Sequence, residues 1–271
     1  MRDTSVAITG GARGIGLATA KAFAAQGARV FLGDLDETAV QEAAAEIGGK
    51  GYRLDVRSRE SFAAFLAAVD GPLDVLVNNA GIMPMGRFAD EDDSVTDAIL
   101  DINVKGVLTG TKLALPGMLE RRYGHIVNIG SYLGEVPGAG LASYCASKHA
   151  VIGFSESLRD ELHGTGVTVT AVLPSAVRTD LVAGVHLGGI LPTVDPERIA
   201  AAVIASCAHR RTIVAVPGWM RTYELAAALL PDRLLAAVRG HLTRDRVLHH
   251  LDTAARSAYD ARVRRDADTH S

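Results

Sequence analysis

The sequence predicts an α/β protein built on a doubly wound, seven-stranded parallel sheet and followed by a helical C-terminal extension. Three observations lead there. Short runs rich in Val, Ile and Leu alternate with longer alanine-rich stretches of helical period. The short runs lack the inside/outside alternation of half-exposed strands, so both faces are expected to be covered. The first run also passes through a glycine-rich turn directly into a helix.

The expected strands are Ser5 to Thr9, Arg29 to Gly33, Gly51 to Leu54, Leu73 to Val77, His125 to Ile129, Val167 to Val172 and Thr212 to Val216, joined by right-handed crossovers. Gly27 and Gly48-Gly49 mark the ends of the first two helices, where a left-handed cap favours glycine. Val182 to Pro196 is punctuated by Gly and Pro yet apolar, which suits a segment covering a ligand. A substrate loop is therefore expected at about residues 180–196 of a single catalytic domain, residues 1–217. Residues 218–271 are expected to be helical, with Leu225, Leu229, Leu230, Leu234, Leu235 and Val238 at helix-like spacing, and to pack on that domain or on a neighbouring subunit through the stripe Leu225, Leu229 and Leu235.

The 271 residues carry a formal net charge of −3 and no basic block, which argues against a nucleic-acid surface. No apolar run reaches the roughly 18 residues of a membrane span, and the start lacks the apolar core of a secretory signal, so a cytoplasmic protein is expected. Nine arginines and seven acids beyond Pro217 give only weak support to a basic membrane patch. Cys145 and Cys207 stand alone and read as small core residues. Neither they nor His149, His249 and His250 have neighbours at metal-ligand spacing, so no metal is expected. A small-molecule partner is what remains.

Thr9-Gly10-Gly11-Ala12-Arg13-Gly14-Ile15-Gly16 lies between the first strand and the first helix, where glycines let main-chain amides approach a pyrophosphate. Asp34 ends the second strand 18 residues beyond Gly16, close to the spacing at which a carboxylate meets the adenosine ribose hydroxyls. Asp55 and Val56 follow the third strand, and Asn78-Asn79-Ala80-Gly81 follow the fourth. In a parallel sheet these ends open onto one crevice, the Rossmann-like dinucleotide site.

Ser131 follows the fifth strand, Tyr144 comes 13 residues later, and Lys148 lies four beyond Tyr144 on the same face of an expected helix. An ammonium beside a phenol favours the phenolate and makes tyrosine a usable acid/base. Ser131 suits a hydrogen bond to the substrate oxygen, Lys148 a ribose hydroxyl, and Asn103 a water leading to Lys148.

Together TGGARGIG, NNAG, Asn103, Ser131 and YCASK resemble the short-chain dehydrogenase/reductase family over roughly residues 4 to 217. The resemblance implies a catalytic tetrad of Ser131, Tyr144, Lys148 and Asn103, with hydride passing between the nicotinamide and a carbinol carbon. It also implies cofactor contacts at Gly10, Arg13, Gly14, Ile15, Gly16, Asp34, Asp55, Val56, Asn79, Ala80, Gly81, Tyr144, Lys148, Pro174, Val177 and Thr179. Ser175 stands where the family usually has glycine. Family members are commonly homotetramers or homodimers.

Asp34 favours NAD(H), although Arg13 sits where NADP-dependent relatives often carry a basic residue, so NADP(H) is not excluded. The apolar candidates Met83, Met85, Leu133, Val136, Val182, Val185, Leu187 and Ile190 suggest a largely apolar secondary alcohol or ketone. The rivals are a non-catalytic NAD-binding regulatory protein of the same fold and a sugar-nucleotide epimerase. The tetrad opposes the first, and the short substrate segment opposes the second.

Overall fold

The computed structural model describes residues 1–182, 184, 192–222, 256, 257, 259 and 261. The apolar runs emerge as β1 (Ser5–Thr9), β2 (Arg29–Asp34), β3 (Lys50–Arg53), β4 (Val75–Asn78), β5 (Gly124–Ile129) and β6 (Val167–Pro174). Two-residue strands β7 (Ala176–Val177) and β8 (Thr193–Val194) follow, and β9 (Ile213–Val216) closes the series. The main sheet has seven strands in the order β3-β2-β1-β4-β5-β6-β9, and every pairing in it is parallel. That is the expected doubly wound Rossmann-like architecture.

The helices are α1 (Gly14–Ala24), α2 (Glu37–Glu46), α3 (Arg59–Ala67), α4 (Asp93–Leu100), α5 (Gly106–Arg121), α6 (Ala142–Glu161) and α7 (Pro196–His209). They cover the sheet on both faces, which is why its strands read as unbroken apolar runs. Val6 and Ile8 of β1 point into a layer shared with Phe23, Val40, Ile199 and Val203 of α1, α2 and α7. Ala7, one residue out of phase, points into the opposite layer with Phe62, Phe65, Met118 and Leu158 of α3, α5 and α6. Each fully buried large apolar side chain in these layers contributes about 1.5–3 kcal/mol.

Helix entry is specified locally. Asp36 and Ser58 cap α2 and α3 by accepting hydrogen bonds from Ala39 N and Ser61 N. Past the first helix, Gly27 takes φ +79°, as the glycine signal required.

On the α5–α6 face of the sheet a buried polar chain links β4 and β5 to both helices. Asn78 Nδ2 donates to Asn128 Oδ1 at 2.9 Å and to Thr111 Oγ1 at 3.3 Å, while Asn128 Nδ2 donates to Ser155 Oγ at 2.9 Å. The two asparagines are directly paired in the β4-β5 ladder.

Two features differ from the sequence reading. The stretch between α4 and α5 is one π-helical turn, Asp101–Lys105, so Asn103 lies in a bulge within a nearly continuous helix. Both ends of the expected substrate loop are pinned, because Ala176 and Val177 pair with Thr193 and Val194. Of the tail, Met220 is buried against Tyr132, whose hydroxyl donates to Met220 O at 3.1 Å. The expected stripe Leu225, Leu229 and Leu235, with Leu230, Leu234 and Val238, lies outside the described residues. No described helix is long and apolar enough to cross a membrane.

Candidate active site

Crossovers of one hand bring the carboxyl ends of β1, β2, β4 and β5 to one edge. The glycine turn after β1 is tightly packed: a Cβ on Gly16 would stand 2.1 Å from Gly10 O. Asn79 stitches β4 to the same turn, donating from Nδ2 to Thr9 O and Gly10 O at 2.9 Å each. Thr9 Oγ1 accepts from Asn79 N and Ala80 N at 3.0 Å each. Asn79 therefore shapes the floor of the crevice.

Helix α1 opens from this turn with no side-chain cap at Arg13 and no acid in its first turn. Its positive end is left to an anion, as a dinucleotide pyrophosphate requires. Ile15 packs against the core beneath, and the Thr179 methyl would lie 3.2 Å from a Cβ on Gly14, which puts Thr179 at the mouth of the same turn. These residues fit a dinucleotide.

Asp34 accepts from Ala12 N at 3.1 Å and from Asp36 N at 3.2 Å, which fixes its carboxylate beside the turn. Arg13 pairs with Asp36 at 2.9 Å. Asp55 and Val56 are buried, and the Asp55 carboxylate accepts from Arg57 N, Nε and Nη2 at 3.0, 3.0 and 2.9 Å.

Pro174 at the end of β6 and Val177 of β7 are buried, and Ser175 between the two strands uses its hydroxyl to donate to Pro192 O at 2.6 Å. Ser175, standing where glycine was expected, thus ties the end of β6 to Pro192 just before β8.

The four expected catalytic residues converge. Tyr144 and Lys148 lie one turn apart on the buried face of α6, with Lys148 Nζ 5.7 Å from the Tyr144 ring centroid. Lys148 Nζ donates to Ile129 O at 2.9 Å, which anchors it to the end of β5. Ser131 follows that strand; its hydroxyl accepts from Leu133 N at 3.1 Å and stands near enough to the Tyr144 phenol to favour its ionised form.

Asn103 Oδ1 accepts from Ile82 N at 2.9 Å, and its Nδ2 donates to Ile82 O at 2.9 Å and to Ser147 Oγ at 3.1 Å. A Cβ on Gly81 would stand 3.1 Å from Asn103 Oδ1 and 3.5 Å from Lys148 Nζ, so both meet at that glycine. Asn103 thereby holds the Gly81-Ile82 segment against Lys148.

Burial dominates the electrostatics. It pushes the Tyr144 phenol well above its usual range, against the opposing pull of the Ser131 hydrogen bond. It lowers Lys148 to about 8, because a buried ammonium loses its hydration. The sequence reading has Lys148 holding the phenol low; here burial is the largest influence on the phenol and favours its protonated form.

Around Tyr144 lies an apolar cluster of Met83 and Leu141, with Met85, Leu133, Cys145, Leu181 and Val182 against it. Four expected pocket residues, Met83, Met85, Leu133 and Val182, are therefore beside the phenol. Val136 is not: after the turn Tyr132–Gly134 it packs with Tyr132, Ala215 and Met220, away from this cluster. Val185, Leu187 and Ile190 lie outside the described residues.

Sequence reasoning missed Leu141, Leu181 and the C-terminal Tyr259, whose hydroxyl accepts from Met83 N at 2.8 Å. Leu141 precedes α6 with no periodic pattern to expose it, and nothing local marks a contact 176 positions away.

The family model for short chain dehydrogenase matches residues 4–187. A probable oxidoreductase, EphD of Mycobacterium tuberculosis, is 34% identical over 265 residues, covering 88% of this chain but 45% of that protein. The chain thus spans about half the length of that relative. The 2-(S)-hydroxypropyl-CoM dehydrogenase 3 of Xanthobacter autotrophicus is 39% identical over 209 residues, 74% of this chain and 82% of the relative.

Among solved structures, a short chain dehydrogenase/reductase of Burkholderia phymatum in complex with NAD matches with TM-score 0.74 and 25% identity, covering 82% of this chain and 92% of that one. An actinorhodin polyketide ketoreductase with NADPH matches with TM-score 0.73 and 33% identity, covering 81% and 98%.

Proposed function

The chain belongs to the short-chain dehydrogenase/reductase family, and from that premise we propose that it is a nicotinamide-dependent oxidoreductase interconverting a secondary alcohol and a ketone. The observation that carries this reading is the convergence of Ser131, Tyr144 and Lys148 in one buried, apolar setting at the dinucleotide edge of the sheet. The comparisons lend no support to the non-catalytic alternative.

The nicotinamide cofactor, when bound, supplies or accepts the hydride. The Ser131 hydroxyl orients the substrate oxygen, and the Tyr144 phenol gives its proton to that oxygen in reduction and receives it back in oxidation. Because burial favours the protonated phenol, Tyr144 is ready to donate at neutral pH, and oxidation gains as rising pH frees the phenolate. Lys148, lowered to about 8 by burial and so mostly charged at neutral pH, would hold a ribose hydroxyl.

Asp34, held by Ala12 N, supports NAD(H) over NADP(H), and Arg13 is already engaged by Asp36. Met83, Met85, Leu133, Leu141, Leu181 and Val182 support a largely apolar substrate. In this reading the enzyme works in the cytoplasm as a homodimer or homotetramer.

The test is turnover of a panel of ketones with NADH, followed by loss of NADH absorbance. Tyr144→Phe leaves the ring packing in place and should lower kcat by about 10²- to 10⁴-fold with NADH affinity little changed. Near-normal turnover in that variant would refute the mechanism.

A further inference from the structure

Two described residues of the C-terminal segment, Arg256 and Tyr259, are buried in the body, with exposures of 0% and 6%. An arginine taken out of water must find acceptors for its donors. Arg256 Nη1 donates to Leu181 O at 3.2 Å and Nη2 donates to Met83 O, while its guanidinium lies 4.7 Å from the Tyr259 ring centroid.

Tyr259 completes the grip. Its hydroxyl accepts from Met83 N at 2.8 Å, so the C-terminal segment holds Met83 by both its N–H and its carbonyl. Met83 and Leu181 come from separate segments, one following Gly81 and the other following Thr179, and both belong to the apolar cluster around Tyr144. One guanidinium therefore spans two walls of the same pocket.

We propose that Arg256 and Tyr259 are positioning and specificity-determining residues: Arg256 pins the Met83 and Leu181 walls together, and Tyr259 closes the pocket beside Tyr144 and limits the bulk of the ketone admitted. This rests on the oxidoreductase reading above. The nearness of the two phenols has an electrostatic trace, since Tyr259 stands after burial among the influences raising the Tyr144 pKa. A planar fork suits the bridging task, because its N–H groups diverge at fixed angles toward two carbonyls, as a lysine ammonium would not.

The test uses the full chain, NADH, and the straight-chain ketones from 2-butanone to 2-decanone. Tyr259→Ala should raise kcat/KM for 2-decanone relative to 2-butanone by about tenfold or more, because pocket volume discriminates by roughly that factor per methylene or two. Arg256→Lys should raise the ketone KM more than it lowers kcat, with the NADH Kd within about twofold of wild type.

Tyr259→Phe keeps the ring but removes the acceptor for Met83 N, so hydrogen exchange at that amide should quicken about two- to tenfold. An unchanged order of ketones in Tyr259→Ala, or uniform loss across the series, would overturn the specificity role. Unaltered Met83 exchange in Tyr259→Phe would overturn the grip itself. Failure of the wild type to reduce any ketone or oxidise any matching alcohol would instead remove the oxidoreductase reading, while Met83 exchange would still report on the contact.

Discussion

Replacing Asp34 by Asn should move coenzyme preference toward NADP(H), and its size follows from the geometry of the turn. The carboxylate is held in place by Ala12 N at 3.1 Å and Asp36 N at 3.2 Å, so it cannot readily swing away from a ligand above β2. A 2′-phosphate taking the place of a ribose hydroxyl bonded to it would bring negative charge to about 4 Å, where repulsion is about 1 kcal/mol in water and about 4 kcal/mol at an effective dielectric of 20. The site lies at the surface end of that range, so the NADPH-to-NADH ratio of kcat/KM should rise about tenfold in Asp34→Asn.

Asp36→Asn acts differently, by releasing Arg13 from an exposed pair of the kind worth about 0.2–1 kcal/mol, and so should give no more than about fivefold. Steady-state kinetics with both coenzymes, for each variant and the pair, separates the two effects. A wild type already better with NADPH, or an Asp34→Asn change equal for both coenzymes, would show that this carboxylate does not read the ribose.

Two other perturbations test parts of the fold that serve the site. Gly16→Ala puts a methyl 2.1 Å from Gly10 O, a main-chain atom that cannot yield cheaply, so stability should fall by about 1–3 kcal/mol. Calorimetric titration with NADH should show binding weakened by more than about tenfold, and unimpaired binding would contradict the tight-turn account. His125, bonded to Thr168 Oγ1 and Ser206 Oγ, is pushed down from 6.5 to about 4 by burial and then by the Arg210 charge. The unfolded chain then binds a proton that the folded chain refuses, so stability present above pH 6.5 is lost as pH falls toward 4, by about 3 kcal/mol at most. Urea unfolding of His125→Asn should lack most of that slope; an identical slope would mean other groups carry it.

The strands were legible because burial on both faces leaves unbroken apolar runs, and their ends moved by only a residue or two. Bulges and two-residue pairings carry no such periodicity, so the π-helical turn at Asp101–Lys105 and the β7-β8 pair became visible only in three dimensions. The convergence of Ser131, Tyr144, Lys148 and Asn103 was legible for a different reason: these residues hold fixed places relative to strand ends and helix turns. The pocket was legible only in part. Met83 and Leu133 sit beside Tyr144 as expected, but Val136 follows a tight turn whose direction is set by packing against Met220, and Arg256 and Tyr259 enter from a segment remote in sequence.

The asparagine pair across β4 and β5 carries a consequence for catalysis. Asn78 Nδ2 can reach Asn128 and Thr111, and Asn128 Nδ2 can reach Ser155, in a single alignment of the two strands. Sliding β5 by one residue would set an amide against an apolar neighbour and strand buried donors, at about 1–3 kcal/mol for each. Gly81 lies three residues past one asparagine and Ser131 three past the other. The pair therefore works as an indexing pin: the same buried amides that choose the strand alignment also fix how far along the crevice Ser131 stands from Gly81.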